Sequence, residues 1–320
     1  MSQEAEEARK RMQVKSFTTW VNLHLKKCGL QVTELTKDFA DGISLLKLVE
    51  TISEESLGKH NKKPISKFQK VENLNLPLQY INAFNKQQGI SNQYSAENIL
   101  EENELMILGM VWTLILRFAV QEISEGDRTA KEGLLLWAQK KVEEASKGKV
   151  TVTNFHTSWQ DGMAFCTLIQ AFRPDLIDYA AVRKSDDPAT MEKMLNMAFD
   201  SAYEKLEIPK MLDAKDMVSH RPDEKSVMTY VTFFWKEFAS TKKKLNAAER
   251  ISKVVERELY YEEMQGKYVA RASALSDWLQ SVPDLQRTHP PALGPMWPHP
   301  HHQPWERCGP CLAGEGRVRR

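Results

Sequence analysis

The chain has 320 residues, of which 42% are hydrophobic and 27% charged, the usual composition of a globular protein. Its 44 Lys and Arg against 43 Asp and Glu leave a formal net charge of +1, so no overall field attracts nucleic acid or anionic lipid, and we expect no nucleic-acid partner. The longest apolar run, Leu105 to Leu116, is shorter than the about 18 residues that span a bilayer, so we expect a protein that is not transmembrane. The charged N-terminus lacks a secretory signal and the four Cys form no disulfide framework, which indicates a cytoplasmic location.

The first predicted helix lies in the segment SFTTWVNLHLKK. One stripe at helical spacing needs a core to face: Phe17, Trp20, Val21 and His24. Three basic residues lie outside that stripe: Lys15, Lys26 and Lys27. His24 and Cys28 are also spaced i, i+4, but two ligands rarely suffice for zinc, so packing is favoured over a metal site.

A repeat comes next, in which Asp41-Gly42 recurs as Asp161-Gly162 about 120 residues later. Each pair is followed by four apolar residues at the same helical spacing: Leu45, Leu48, Val49 and Ile52 in the first copy, Phe165, Leu168, Ile169 and Phe172 in the second. Period-2 alternation, which would favour strands, is scarce. The repeat predicts an all-α fold with two homologous domains at 13–122 and 130–240, joined by a short polar linker at 123–129.

The closing helix of the first domain is predicted over Met106 to Glu122 and is apolar nearly all round. Such a helix is normally buried at the centre of its domain, with at most one edge available for contact. The second domain then opens with a helix and its exit, Leu134 to Val150. Four lysines mark this segment: Lys140, Lys141, Lys147 and Lys149.

After Ser240 the sequence is dense in helix formers and lacks Pro, which predicts one long helix leading into another over 241–286. Its apolar residues recur at helical spacing: Leu245, Ile251, Val255 and Leu259. Residues 287–320 are rich in Pro and His, and we expect them to be disordered. They include a pattern that approaches a zinc site but lacks a hydrophobic scaffold: Cys308 and Cys311 with His299, His301 and His302.

Several segments together resemble the tandem calponin-homology actin-binding domain of the α-actinin and spectrin superfamily, among them DFADGISLLKLVE, LGMVWTLILRFAVQ, NFHTSWQDGMAFCTLI, IPKMLDAKDM and RPDEKSVMTYV. The resemblance covers residues 13 to about 240. The continuation from Asn246 is similar to the neck of α-actinin and the start of its first spectrin-type rod repeat, which implies such a neck and repeat start over 241–286. One departure is that the family's second Asp-Gly turn and following Lys stand here as Glu101-Glu102 and Leu105.

The resemblance implies that the partner is filamentous actin, contacted by three segments. The residues carried over are Lys15, Phe17, Trp20, Lys26 and Lys27 in the first, Met106, Met110, Leu114 and Arg117 in the second, and Lys140, Lys141, Lys147 and Lys149 in the third. It also implies a cation–π latch between the domains, formed by Trp112 and Lys225. A phosphoinositide lipid is a further candidate partner, at Lys147, Lys149, His156 and Arg173.

Full-length members of this family crosslink filaments as antiparallel homodimers through a rod that is mostly absent from this chain. The chain also carries no EF-hand calcium loop. Phosphate-binding, metalloprotease and nucleophile-elbow motifs are missing too, so we expect a protein of the actin cytoskeleton that is not an enzyme and needs no cofactor or metal. The alternative is a signalling or scaffold adaptor whose helical domains bind a non-actin partner. Pelleting with actin filaments distinguishes the two.

Overall fold

The computed structural model describes residues 3–87, 89–120 and 130–281, and every regular element in those ranges is helical. The predicted all-α fold is therefore confirmed for the described residues. Contacts divide the chain after Ala247 into two units. The predicted linker at 123–129 and the predicted disordered tail at 287–320, with its Cys and His pattern, lie outside the described residues.

The first domain contains six α-helices among its described residues: α1 (Gln3–Leu25), α2 (Leu35–Asp38), α3 (Ile43–Ser53), α4 (Lys67–Gln87), α5 (Ala96–Leu100) and α6 (Glu104–Ile115). A 3-10 turn, Lys26–Cys28, follows α1, and a π-helical turn, Leu116–Val120, follows α6. The described part of the second domain contains α7 (Ala130–Ser146), α8 (Met163–Phe172), α9 (Pro188–Leu206), α10 (Ala214–Ser219) and the start of α11 (Glu224–Ser281).

The core of each domain is built by the helices that the repeat predicts. In the first domain α1 packs on α3 and α6, and α3 packs on α4. In the second domain α7 packs on α8 and α8 on α9. Aromatic rings join α11 to this second core, since Tyr230 lies 5.5 Å from Phe165 and 5.4 Å from Phe199 between ring centroids.

The Asp-Gly pair that marks the repeat has the same structural role in both domains. Gly42 and Gly162 precede α3 and α8 with φ of 79° and 78°, a region that favours glycine. In each pair the Asp carboxylate accepts a hydrogen bond from the backbone N–H two residues on, at 2.8 Å and 3.0 Å. A Cβ on Gly42 would lie 2.6 Å from Cβ of Asn73, so the glycine also lets α3 approach α4 closely.

The turn before α6 has a left-handed residue at Glu102, the position where the family resemblance implies a Gly. Glu102 has φ of 54°, a conformation that costs a residue with a Cβ about 1 kcal/mol. Asn103 then begins α6, because its side-chain oxygen accepts a hydrogen bond from the N–H of Met106 at 3.2 Å. Glu102 therefore has a backbone conformation that Gly would adopt without this cost.

Two helices begin earlier than the sequence pattern suggests. The first, α1, begins at Gln3, with Glu4 and Glu6 in its first turn, where carboxylates stabilise a helix start. In the segment at 241–286, predicted as one long helix leading into another, the described residues 241–281 belong to a single helix that begins at Glu224 and continues to Ser281. No Pro interrupts it, and its helix formers give it no break.

In the second unit, α11 exposes three of the four apolar residues that the sequence places at helical spacing; the side chain of the fourth, Leu245, lies outside the described ones. Ile251, Val255 and Leu259 are all exposed. Within residues 3–87, 89–120 and 130–281, no helix is long and apolar enough to cross a membrane.

Candidate functional site

Helices α1 and α6 of the first domain lie against the region where α10 and α11 of the second domain begin. Asp223 is at the centre of this contact and is 4% exposed. Its Oδ2 accepts hydrogen bonds from the N–H and the hydroxyl of Ser226, at 2.9 Å and 2.8 Å, so it is the N-cap of α11. Its Oδ1 accepts a hydrogen bond from Nε2 of Gln13 at 2.8 Å and lies 4.0 Å from Nε of Arg9. One carboxylate therefore begins a helix and joins the two domains.

Two further ion pairs connect α1 to the second domain. Arg11 lies 3.3 Å from Asp216, and Lys15 lies 3.6 Å from Asp213, the N-cap of α10. All four side chains are partly in water, so each pair contributes at most about 1 kcal/mol. We call the whole set the α1 clamp: Arg9, Arg11, Gln13 and Lys15 with Asp213, Asp216 and Asp223.

The two residues of the predicted latch lie next to the α1 clamp. Nζ of Lys225 is 5.6 Å from the ring centroid of Trp112, inside the range of a cation–π interaction. The ring of Trp112 is stacked at 6.1 Å on Phe17 of α1, which fixes its orientation. The arrangement has the geometry of the predicted latch, and its effect on binding stays a prediction.

A third contact between the domains involves a histidine whose pKa is strongly shifted. Nζ of Lys236, on α11, donates a hydrogen bond to the carbonyl oxygen of Phe118 at 3.4 Å. Burial, together with the positive charges of Lys236 and Lys27, lowers the pKa of the nearby His24 to about 4. His24 is therefore neutral at pH 7 and packs on Trp20, with 4.6 Å between ring centroids.

The residues predicted in the first actin-contacting segment divide into surface and core. Lys26 and Lys27 are exposed at the end of α1, whereas Lys15 is held by Asp213. Phe17 and Trp20 are buried. In this arrangement of the domains, two lysines of the segment are free to face a partner and the two aromatic residues position the helix that carries them.

In the second predicted segment, most of the side chains are internal. Met106 is half-buried, and Met110 and Leu114 are buried. Arg117, in the π-helical turn, places its guanidinium 4.0 Å from the ring centroid of Phe84 and donates a hydrogen bond to the hydroxyl of Tyr80 at 3.1 Å. Arg117 therefore ties α6 to α4.

The third predicted segment presents most of its lysines to solvent. Lys140, Lys147 and Lys149 are exposed, and Lys147 has φ of 53° in the turn that ends α7. Lys141 instead forms an ion pair with Glu144 at 2.8 Å and lies 5.9 Å from the ring centroid of Phe172.

The residues predicted for a phosphoinositide have less free positive charge than their types suggest. Arg173 forms two hydrogen bonds with Asp175, at 2.9 Å and 2.8 Å. Burial lowers the pKa of His156, as does the charge of Arg221, whose guanidinium lies 2.7 Å from the ring Nε2. Of this set, the exposed Lys147 and Lys149 remain as available cations.

No group of three or more His, Cys, Asp or Glu that could hold a metal ion occurs in the part of the chain that the structure describes. His24 contacts Trp20, and Sγ of Cys28 lies 3.0 Å from the hydroxyl of Thr51. The two residues therefore have separate partners.

The α1 clamp contains residues that sequence reasoning missed: Arg9, Arg11, Gln13, Asp213, Asp216 and Asp223. Two signals were present in the sequence. A basic cluster, ARKRMQVK, precedes the first apolar stripe, and acidic residues occupy the starts of two helices in the second domain. Neither signal indicates which residue pairs with which, because the partners are 205 and 210 positions apart.

The class of protein to which this chain belongs follows from its similarity to known proteins. The model of the calponin homology (CH) domain matches residues 11–120 and 128–240, and the chain belongs to this family, as its sequence segments predicted. Its sequence is 44% identical over 283 residues to Alpha-actinin-1 of Bos taurus, across 88% of this chain and 30% of that protein. It is also 44% identical over 290 residues to Alpha-actinin-3 of Homo sapiens, across 89% of this chain and 31% of that protein.

The chain therefore spans about 30% of the length of the curated relatives it matches. Among solved structures, it is similar to the actin-crosslinking core of fimbrin from Schizosaccharomyces pombe, with a TM-score of 0.55 and 25% sequence identity. That similarity covers 70% of this chain and 49% of the fimbrin chain.

Proposed function

We propose that this chain binds actin filaments through its two CH domains. The observation that carries the proposal is the pair of homologous domains, which is 44% identical to Alpha-actinin-1 and similar in fold to the actin-crosslinking core of fimbrin. Two domains on one short connection can engage neighbouring sites together, which raises the effective concentration of the second domain after the first has bound.

The exposed end of α1 and the exposed lysines of the second domain are the surfaces that suit a filament in the arrangement described. Lys26 and Lys27 are on the first, and Lys140, Lys147 and Lys149 are on the second. Lysines at the rim of an interface chiefly raise the association rate and make binding depend on salt. The remaining affinity needs apolar contact, for which the half-buried edge of α6 is the candidate surface.

The proposed binding is regulated by the separation of the domains. Lys15 is engaged by the α1 clamp, and Lys225 lies over the ring of Trp112 in α6, so both predicted segments are partly engaged by the second domain. Loss of the Lys225 contact, with a free energy of about 0.5–2 kcal/mol, would raise the fraction of open molecules by about 2- to 30-fold. A filament that binds the open form better would shift the domains toward it.

On the same grounds we assign the protein to the cytoplasm, within the actin cytoskeleton, with a structural rather than an enzymatic role. Crosslinking of filaments would need two such pairs of domains in one assembly, as in the antiparallel homodimers that the family resemblance implies. A phosphoinositide bound at Lys147 and Lys149 would compete with a filament for the same cations.

The test is co-sedimentation of the full chain with filamentous actin at low and at high salt. We expect the chain to pellet with filaments, less so at high salt, and Lys225→Glu to increase the pelleted fraction. Lys205→Glu, the same charge change at an exposed position in the last turn of α9, is the matched control and should behave like the wild-type chain. A chain that stays in the supernatant would favour the adaptor function. Unchanged pelleting of Lys225→Glu would overturn the latch.

A further inference from the structure

The turn that precedes α4 and the first turn of that helix present two large apolar side chains to water, one each. Ile65 is 89% exposed and Phe68 is 70% exposed. An apolar residue just ahead of a helix usually packs on the residue at the fourth helical position, an arrangement called the hydrophobic staple. Here Ser66 is the capping residue and the fourth helical position is Lys70, so Ile65 has no apolar partner.

The exposure of this turn is not caused by a loose backbone. Oε1 of Gln69 accepts hydrogen bonds from the N–H of Ile65 at 2.9 Å and of Ser66 at 3.2 Å. The N–H of Gln69 in turn donates to the hydroxyl of Ser66 at 3.2 Å, which completes a reciprocal cap. The turn therefore holds Ile65 and Phe68 in a fixed position outside the core.

The other end of the turn is fastened to the domain core. The N–H of Asn61 donates to Oδ1 of Asn73 at 2.8 Å, and Nδ2 of Asn73 donates to the carbonyl oxygen of Asn61 at 2.9 Å. Asn73 is fully buried beside the Asp-Gly turn of the first domain. Both ends of the segment are therefore fixed, and a partner would bind it without ordering a flexible loop.

The same segment is strongly basic. Between residues 59 and 71 there is no Asp or Glu, and five lysines occur: Lys59, Lys62, Lys63, Lys67 and Lys70. None of them takes part in an ion pair among the described residues. Three acidic groups contact the segment: Glu72 accepts a hydrogen bond from Asn61 at 3.1 Å, the Glu97 carboxylate interacts with Lys67, and the Glu50 carboxylate interacts with His60.

We propose that residues 59–70 of the first CH domain dock on the surface of an anionic lipid bilayer. Ile65 and Phe68 enter the boundary between headgroups and acyl chains, and the surrounding lysines contact the lipid phosphates and carboxylates. Exposed apolar side chains surrounded by lysines suit the interface of an anionic bilayer, which accepts them without a preformed pocket. The protein's net charge of +1 gives no general attraction, so this local patch supplies it.

This surface differs from the phosphoinositide residues expected in the second domain. It adds apolar insertion to charge, which makes its binding sensitive both to anionic lipid and to the removal of either apolar side chain. It also leaves Lys147 and Lys149 unused. The two surfaces can therefore be separated by mutation.

The experiment is co-sedimentation of the full chain with vesicles of phosphatidylcholine alone and of phosphatidylcholine mixed with phosphatidylserine. We expect binding to the anionic vesicles only. The double variant Ile65→Ser with Phe68→Ser should lower the partition coefficient about tenfold or more. Lys62→Ala with Lys63→Ala should lower it by about 25-fold, since each lysine near such a surface contributes about fivefold.

The matched control is Leu105→Ser. Leu105 is 80% exposed, but its neighbours in the sequence are acidic, so its loss should leave vesicle binding unchanged. Inorganic phosphate at millimolar concentration should not release the chain, whereas a site for free phosphate would be emptied. The folding of each variant is checked by its urea midpoint, which exposed side chains should hardly alter.

Vesicle binding that survives both double variants would overturn the proposal, as would binding lost only in Lys147→Ala with Lys149→Ala. A third overturning result is loss of actin pelleting, without loss of vesicle binding, in the variant lacking Ile65 and Phe68. That result would assign the turn to a protein surface. The proposal does not depend on actin binding. A chain that does not bind actin filaments but binds anionic vesicles through this turn would therefore still support it.

Discussion

The opening helices of the two domains, α1 and α7, have the same place in the core, but the charged residues in their described N-terminal turns have different partners. In α7, described from Ala130, Lys131 pairs with Glu224 of its own domain at 2.7 Å. In α1, described from Gln3, Arg9 and Arg11 face Asp223 and Asp216 of the other domain. The comparison shows that the two copies share what packs their cores and differ in whether the opening helix holds its own domain or the neighbouring one.

Both domains share the Asp-Gly turn, and the largest predicted loss of stability is at its two glycines. In Gly42→Ala the new Cβ would lie 2.6 Å from Cβ of Asn73, and in Gly162→Ala it would lie 2.9 Å from the backbone nitrogen of Leu195. With the strain of a positive φ added, we expect each change to lower the free energy of unfolding by about 3 kcal/mol. Urea denaturation of the full chain measures it.

Gly148→Ala is the control for that prediction. Its φ is 78°, but a Cβ there would meet no atom within 4 Å, so it should cost only the backbone strain, about 1 kcal/mol. Equal losses at Gly148 and at Gly42 would mean that close helix approach does not explain the Asp-Gly turns.

The next prediction concerns pH and the histidine of α1, whose counterpart in α7 is Lys141 when Trp20 is aligned with Trp137. The folded pKa of His24 is lowered to about 4, while the unfolded value is about 6.5. Between these values the unfolded chain binds more protons, so stability falls as pH falls from 6.5 towards 4. From about pH 7 to about pH 5 we expect His24 to account for about 2 kcal/mol of that loss.

His24→Gln should remove this share of the pH dependence. The measurement is the free energy of unfolding from urea titrations of the wild-type chain and the variant at both pH values. A variant with the same drop as the wild-type chain would show that His24 does not titrate in this window.

Two variants of Asp223 distinguish its contribution to the contact between the domains from its contribution to the cap of α11. Asp223→Ala removes the cap of α11 and the acceptor of Gln13, and we expect it to lower the free energy of unfolding by about 1.5 kcal/mol. Asp223→Asn keeps a side chain that can cap and loses the charge facing Arg9, so its loss should stay below about 1 kcal/mol. Similar losses in the two variants would remove the distinction between cap and contact.

The smallest predicted effect lies in the turn before α6, and it is a gain. Glu102→Gly relieves the strain of φ 54°, and we expect the free energy of unfolding to rise by about 0.5 kcal/mol after the entropy cost of glycine. Glu101→Gly, at φ of −85°, carries only that cost and should lower stability by about 0.5 kcal/mol. Two changes of the same sign would contradict the assigned strain.

Much of the fold could be predicted because it depends on local patterns. The Asp-Gly repeat and the stripe after each pair locate α3 and α8, since a turn residue and an apolar period are properties of short segments. The π-helical turn at Leu116–Val120 could not be predicted, because a segment that is apolar on all faces has no periodicity that a change of register would disturb.

The site was less accessible to sequence reasoning than the fold. The latch residues Trp112 and Lys225 came from a family resemblance, and the structure places them together. The α1 clamp was missed because an ion pair between domains depends on how two folded bodies meet. The burial of Phe17 and Trp20 could be read from the sequence stripe, but that stripe does not distinguish a packed residue from one available to a partner.

Because Asp223 both starts α11 and receives Gln13, the two sides of this contact differ in how freely they can vary. A replacement on the second domain's side disturbs a helix terminus as well as the contact. A replacement of Gln13 or Arg9 alters only the strength with which the domains adhere. Substitutions in α1 are therefore the simplest way to make the association of the two domains tighter or looser. An engineer who wants a graded series of such proteins would begin with that helix.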